Sequence, residues 1–325
     1  MMRMPAEFAA HECTVMCWPS RRELYGRLLP DARRAHATVA RTISGFEPVT
    51  MIANSDQVDE AVRLCGPGVE VVDLPIDDSW FRDTGPIYVT DGHRREGTCW
   101  TFNGWGGKYV PYDADAKIAA AWLRSRGESA RSVDMVFEGG SINVNGAGTL
   151  VTTEQCLLNR NRNPHLSRAD IEHRLRAELG HERIVWLPYG LHLDEGTDGH
   201  VDNVAAFAST DVLIVQGCDD PREPDHERMS VNRRVAEAAG LVVREIPVLP
   251  FTEVDGRRVV VPYLNFYVVN GGVIVPVCGH AADDDVIALL SEWFAGRQVV
   301  GLDVGAILAY GGGGIHCITQ QVPAV

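Results

Sequence analysis

The sequence predicts an α/β fold in a single domain, residues 1–325, built from about five copies of one supersecondary unit in a radial or stacked array. Three observations carry this: helix-like segments that each stop at a glycine, a short β-branched run after each stop, and strand pairs around tight turns at a similar phase.

The helix-like segments span 55–65, 113–126, 167–179, 230–239 and 283–295, and they stop at Gly66, Gly127, Gly180, Gly240 and Gly296. Glycine is the usual left-handed stop of a helix, and these stops recur about every 50 to 60 residues, the scale of one repeat. The runs that follow are 69–74, 133–137, 183–187, 241–246 and 298–304, three of them meeting a proline at Pro75, Pro188 and Pro247. Each leads through a polar loop toward a strand pair, clearest in 141–153, 201–215 and 264–276, where Asn145-Gly146 and Asn270-Gly271 are hairpin turn signals. The apolar run 14–18 has no helix before it and is expected to close the last unit against the first.

A chain of 325 residues carries a prior of about two domains, which the repeat converts into one domain of about five units near 60 residues each. Hydrophobic residues at 45% and charged residues at 23% are ordinary soluble globular usage. The 44 acidic against 30 basic residues, net −14, argue against nucleic acid and anionic membrane as partners and tolerate a small cation. The eight cysteines form no CxxC pair and join no zinc-spaced histidines, so they read as reduced thiols. Glu7, His11 and Glu12 stand where a signal peptide needs an apolar core, and no stretch approaches eighteen apolar residues, so the cytoplasm is the expected location.

Chemistry-bearing residues fall in the polar loops: DDSWFRDTGP (77–86), EGGS (138–141), TDGHVDN (197–203) and YGGGGIHCITQQ (310–321). Asp83, Glu138, His200, Asp202 and Cys317 would make one site from four units near a central axis. His200 and Asp202 lie two apart, so on a strand both face one way, as an acid/base and a charge holder require. The same HxD spacing suits a zinc or iron ligand pair, or a capped turn. Cys317 follows four glycines, which let the backbone come close to a ligand, and it is a candidate nucleophile; a buried structural cysteine is the alternative. His316 is expected on the opposite face of a strand, which leaves His200 as the partner of Cys317. No Lys-Ser/Thr follows the glycines, so they do not form a phosphate loop. Asp83 and Asp202 beside a thiolate would raise its pKa unless a cation sat between them, and a guanidinium, with its planar fork and electrophilic carbon, meets that need.

MPAEF (4–8), DDSWFRDTGP, FNGWGGKY (102–109), EGGS, LLNRNRNP (157–164), GTDGHVDN (196–203), YLNFYVVNGG (263–272) and GGGGIHCITQQVP (311–323) together resemble the agmatine deiminases, within the wider group that includes bacterial peptidyl-arginine deiminases. The match runs nearly the whole chain in the family's order. The resemblance implies the pentein fold, a five-unit α/β propeller with the substrate on its pseudo-fivefold axis, and hydrolysis of agmatine to N-carbamoylputrescine and ammonia with no metal and no organic cofactor. By the same resemblance, Cys317 is the nucleophile, His200 the acid/base, Asp83 and Asp202 the guanidinium holders, and Glu138 the partner that orients His200. Cys317 attacks, His200 protonates the departing ammonia, and water then resolves the amidino-cysteine adduct. Trp80 and Trp105 are candidate walls for the alkyl chain or cation, with core packing as the alternative. Asp78, Asp198 and Gly314 complete the expected substrate-contact set. A homo-oligomer is expected from the resemblance alone.

The chain departs from the family pattern at Gly314, usually asparagine, and at Asn143, Asn145 and Ala147, usually histidine, aspartate and glutamate; a DNW segment after Pro19 is missing. These departures bear on substrate identity more than on reaction type. The alternatives are a deiminase of arginine or peptidyl-arginine, an amidinotransferase, a metal hydrolase using His200 and Asp202, and a catalytically silent propeller.

Overall fold

Short β-branched runs that cannot cover both faces alone pair into sheets, and here five sheets repeat one plan: a hairpin, a crossover helix, and a third strand returning parallel to the second. The computed structural model describes residues 2–325. In the second unit, strands Ile87–Thr90 and Arg95–Thr101 are antiparallel, helix Asp115–Ser125 crosses over, and Ala130–Val136 joins in parallel. The third unit repeats this with Ile142–Val144, Thr149–Thr153, helix Arg168–Leu179 and Arg183–Leu187. The fourth uses Ala205–Phe207, Val212–Gln216, helix Asp225–Ala238 and Val242–Ile246, and the fifth Tyr267–Val269, Gly272–Val277, helix Asp283–Trp293 and Gln298–Asp303. A two-stranded hairpin, Phe251–Val254 with Arg257–Val260, is inserted between the last two.

The first unit is made from both ends of the chain. Strand His11–Cys17, which contains most of the run 14–18, pairs antiparallel with Thr319–Pro323, so the two termini form the hairpin that the other units make locally. Helix Leu29–Ile43 then crosses to Val49–Ala53, which lies parallel to His11–Cys17. This is the closure expected from the sequence, and the whole is the pentein arrangement.

Closure is also visible in the packing. Phe81 and Tyr88 meet Val15 and Ile52 between units one and two; Ile87 and Val133 meet Leu150 and Leu175 between two and three. Val151 and Val185 meet Leu213 and Met229 at the third seam, Ile214 and Ile246 meet Val273 and Leu290 at the fourth, and Tyr267 and Ile274 meet Met16 and Met51 at the fifth. Burying one such side chain is worth about 2 kcal/mol, so a three-stranded unit gains its stability from its two seams.

The glycine stops hold at all five positions, each glycine having φ between +68° and +88°. The helix count needs one correction. Val58–Cys65, which precedes Gly66, is not a crossover helix of the five-fold plan; it feeds Val69–Asp73, a fourth strand at the edge of the first sheet. The crossover helix of that unit is Leu29–Ile43, which ends at Ile43 without a left-handed glycine, since Gly45 keeps an ordinary φ. Helix Asp225–Ala238 also starts earlier than 230, its first turn being wholly polar.

Two buried histidines tie this frame together. His36, on Leu29–Ile43, has one ring nitrogen on the Ala32 carbonyl, and His181 has one on the Met4 carbonyl, which anchors the N-terminal segment. Burial pushes both down to about 4 against their carbonyl bonds, with Arg3 adding to the effect at His181. The native state therefore binds these protons less readily than the unfolded chain, so their contribution is full above about pH 6.5 and is lost as pH falls toward 4, up to about 3 kcal/mol each. The melting temperature should fall between pH 6.5 and 4, and His36→Gln should flatten that slope; an equal slope in the variant would assign it to other groups.

Candidate active site

The chain passes from the last strand of each unit to the next, and every one of the five connections brings a polar side chain to the same place. Asp83 sits in the short helix Phe81–Thr84, Glu138 just before the turn Gly139–Ser141, and His200 and Asp202 around the turn Val201–Asn203. Asn265 precedes strand Tyr267–Val269, and Cys317 precedes Thr319–Pro323. Asp83, Glu138, His200, Asp202 and Cys317 are thus brought together, all buried.

Gly140 marks the centre of this cluster. A Cβ there would lie 2.6 Å from His200 Nδ1 and 2.9 Å from both Asp202 Oδ2 and Asp83 Oδ1, so only glycine fits, and its N–H donates to Asp83 Oδ1 at 2.9 Å. The other Asp83 oxygen accepts from the Trp105 indole N–H at 2.9 Å. Trp105 holds φ +53° between glycines that are themselves left-handed, a conformation uncommon for a bulky residue, and Asn103 Oδ1 braces the loop by accepting from Gly106 N.

His200 is 0% exposed, and its ring nitrogens lie 3.8 Å from Asp83 Oδ1 and from Glu138 Oε2, beyond hydrogen-bond length. Its N–H is held by Asp194 Oδ2 and Thr197 Oγ1, both at 3.1 Å. Burial opposes the charged ring, but Asp83, then Cys156 and Glu138, outweigh it and hold the pKa well above the usual histidine value. Glu138 in turn accepts from Arg162 Nε at 2.6 Å, and Arg162 reaches on to Asp198 Oδ2 and the Thr197 carbonyl. Burial would raise Glu138, yet Arg162 and His200 bring it below the usual range.

Cys317 Sγ accepts from Asn265 Nδ2 at 3.1 Å and donates to Asp202 Oδ2 at 3.4 Å. Its backbone is fixed by Arg82, whose N–H donates to the Cys317 carbonyl and whose Nε donates to that of His316. Burial first, then Asp202 and Asp83, push the thiol well above its ordinary pKa, as two anions beside a sulfur should. A Cβ on Gly313 would meet Trp80 at 2.6 Å and Cys317 Sγ at 3.0 Å, so the glycine run does let the backbone pass close to the sulfur.

Trp80, Trp105, Asp83 and Cys317 line a narrow recess that shares Tyr109, Gly196 and Gly312 with an outer basin of about 310 Å³. No lysine or arginine lines the recess; Lys108, Arg257 and Arg258 stand in the basin wall.

Several expectations are corrected. Asp78 does not line the recess: its carboxylate accepts from Arg21 Nε at 2.7 Å. Asp198 is drawn into ion pairs with Lys108 and Arg162, each at 2.7 Å, and braces Glu138 from behind. Gly314 stands outside the recess wall; a Cβ there would lie 2.5 Å from Asn265 Oδ1, so this glycine makes room for Asn265. His200 and Asp202 share a face through a turn, not a strand, because Ala205–Phe207 begins only afterwards. His316 does turn away from the recess, toward Glu7, but also touches Asp202. His200 and Cys317 share no hydrogen bond; Asp202 and Asp83 lie between their environments. Asn143 and Asn145 serve backbone: Asn143 accepts from Phe207 N, and Asn145 closes its own hairpin at Ala147 and Thr149.

Asn265, Asp194, Arg162 and Cys156 carried no role in the sequence reading. Asn265 and Arg162 lie within segments of the family resemblance, but their contacts are long-range and leave no local pattern. Glu138, Cys156 and His200 place one ligand atom each within 4.8 Å of one another, a set a soft metal could use. The Arg162 guanidinium already occupies one Glu138 oxygen and opposes a cation there, so the trio is not read as a metal site.

The sequence model of the Porphyromonas-type peptidyl-arginine deiminase family matches residues 3–323. An agmatine deiminase of Pseudomonas aeruginosa is 42% identical over 99% of this chain and 95% of its own, and one of Stutzerimonas stutzeri is 41% identical with the same coverage. The solved agmatine deiminase of Enterococcus faecalis superposes with a TM-score of 0.94 at 32% identity, covering 99% of this chain and 96% of that one. With a five-unit ring, a shared loop-built site and these matches along its whole length, the chain belongs to the Porphyromonas-type peptidyl-arginine deiminase family.

Proposed function

We propose that the protein is an agmatine deiminase, converting agmatine and water to N-carbamoylputrescine and ammonia through a covalent cysteine adduct. The observation that carries this is Cys317 set against the buried carboxylate Asp202, with the carboxylate Asp83 beside it in an aromatic recess lined by no lysine or arginine. A guanidinium seated there offsets both carboxylates and favours an ionised sulfur facing its carbon. The thiolate attacks that carbon, His200 gives its proton to the leaving nitrogen, ammonia departs, and the amidino-thioether cation remains. Neutral His200 then takes a proton from water as its oxygen bonds to the same carbon. The C–S bond breaks as the new hydroxyl loses its proton to solvent, so the neutral urea forms and the thiolate is restored. Glu138, charged through Arg162, favours the protonated ring in the first half. Trp80 and Trp105 flank the butyl chain.

The competing substrate is free arginine, whose α-carboxylate needs a cation; Arg257, which donates only to the Tyr310 carbonyl, stands in the basin wall. The proposal extends to a homo-oligomer in the cytoplasm; among the described residues no helix is long and apolar enough to cross a membrane.

Wild type and Cys317→Ala are assayed in parallel for ammonia and ureido product from agmatine, arginine and an arginyl peptide. Agmatine should be turned over, and the variant should fall roughly 10³-fold or more. Turnover of arginine but not agmatine overturns the substrate assignment, product formed only with an added amine acceptor points to an amidinotransferase, and loss of activity on chelation restores the metal reading.

A second prediction concerns Trp105. Trp105→Phe keeps an aromatic wall but leaves Asp83 Oδ2 without its N–H donor. We expect kcat/KM for agmatine to fall about tenfold or more, chiefly through KM; an unchanged value would reduce the indole to a wall.

A further inference from the structure

Beside Cys317 three side chains stand in line, Asp202, His316 and Glu7. His316 Nδ1 is 2.9 Å from Asp202 Oδ2, and its Nε2 is 2.7 Å from Glu7 Oε2. A neutral imidazole has one N–H and one lone pair, and the lone pair would face a carboxylate oxygen; the imidazolium, with two N–H groups, satisfies both neighbours. Glu7 is fixed in turn, its Oε1 accepting from Val268 N at 2.9 Å and its Oε2 lying 3.6 Å from Arg82 Nη2. Arg297 also contributes positive charge near Glu7.

Asp202 Oδ2, the oxygen at the Gly140 centre, takes both His316 and the Cys317 S–H, while its Oδ1 is buried and has no partner. An unpaired buried carboxylate oxygen is costly, so Asp202 keeps acceptor capacity that a cationic group can fill. The groups facing His316 are Glu7, Asp202 and Arg82; those facing Asp202 are His316, His200, Cys317 and Asp83.

We propose that Glu7 and His316 are positioning residues: held as an imidazolium between two carboxylates, His316 fixes Asp202 Oδ2 against the Cys317 sulfur and offsets its charge, so that Cys317 can ionise. Against the cost of burial and the Arg82 charge, Glu7 and Asp202 hold the ring above its ordinary pKa, while Glu7, despite burial, is lowered to about 2 by His316 and Arg82. The inference rests on the reading of Asp202 as a guanidinium holder, but its test does not need agmatine.

The test is the rate at which iodoacetamide labels Cys317, read by mass spectrometry of its peptide from pH 6 to 9, in wild type, Glu7→Gln, Glu7→Asp and His316→Asn. With Glu7→Gln the ring loses one flanking charge and its pKa falls, so toward alkaline pH the sulfur faces an Asp202 charge no longer offset. The labelling rate relative to wild type should be near one at pH 6 and fall about tenfold by pH 8.5, the size of a one-unit pKa change. His316→Asn should label about tenfold more slowly at every pH, and Glu7→Asp should recover most of the wild-type profile. Superimposable profiles, or a Glu7→Gln loss that is the same at every pH, overturn the proposal. So does a nitrogen-15 imidazole spectrum of the wild type at pH 8 showing His316 with one bare nitrogen, a measurement that stands even where Glu7→Gln folds poorly. If the profiles shift as expected while wild type leaves agmatine intact, the substrate reading fails and this inference holds.

Discussion

Negative charge crowded around a thiol in a dry interior is the constraint on which the rest of the site depends. Asp83, Glu138 and Asp202 are all buried within one cluster, and Cys317 sits against them. Burying carboxylates without partners is prohibitive, so each has been given one: the Trp105 indole and Gly140 N–H for Asp83, Arg162 for Glu138, and His316 for Asp202. His200 lies between Asp83 and Glu138 without a close bond to either and is charged by both. The balance is incomplete, since Asp202 Oδ1 and Glu138 Oε2 keep no partner. A cationic substrate completes it.

Such crowding needs a rigid frame, and the ring provides it. Every loop of the site is anchored by two seams, and the last seam exists only because His11–Cys17 pairs with Thr319–Pro323. Cys317 lies two residues before that closing strand, and Glu7 four residues before its partner, so ring closure and the positioning of Asp202 draw on the same chain ends. Arg82, in the helix that carries Asp83, donates to Gln321 on the closing strand as well as to the His316 carbonyl, linking one carboxylate to the nucleophile's backbone.

Local chemistry was legible in the sequence wherever one residue type decides the conformation. Gly66, Gly127, Gly180, Gly240 and Gly296 all take a positive φ at or just after their helices, Gly66 with an extended ψ of −178°, and the Asn270-Gly271 hairpin forms as its turn predicts. Leu29–Ile43 was not legible because it ends without such a glycine, and Val58–Cys65 stood in for it in the repeat count. The residues of the charge cluster could be named because they fall in polar loops at a similar phase of successive units and within the segments of the resemblance, but their partners could not. Arg21 lies 57 residues from Asp78, so nothing local says that this carboxylate is spent on an ion pair. The bonds of Asn265 to Cys317 and of Glu7 to His316 span 52 and 309 residues, and only the closed ring brings them together.

The position before the Ile315-His316-Cys317 run shows how tightly these long-range contacts are coupled. Asn265 Oδ1 accepts the Cys317 N–H at 3.3 Å while its Nδ2 reaches both the sulfur and Asn203 Oδ1. A Cβ at 314 would come within 2.5 Å of that oxygen, so a side chain there and this placement of Asn265 exclude each other. Gly314 therefore acts on the sulfur through Asn265: it lets an amide donor press against the thiol and stabilise its ionised form, which the flanking carboxylates resist. Gly314 thus bears on how the nucleophile is held although it lines no part of the recess.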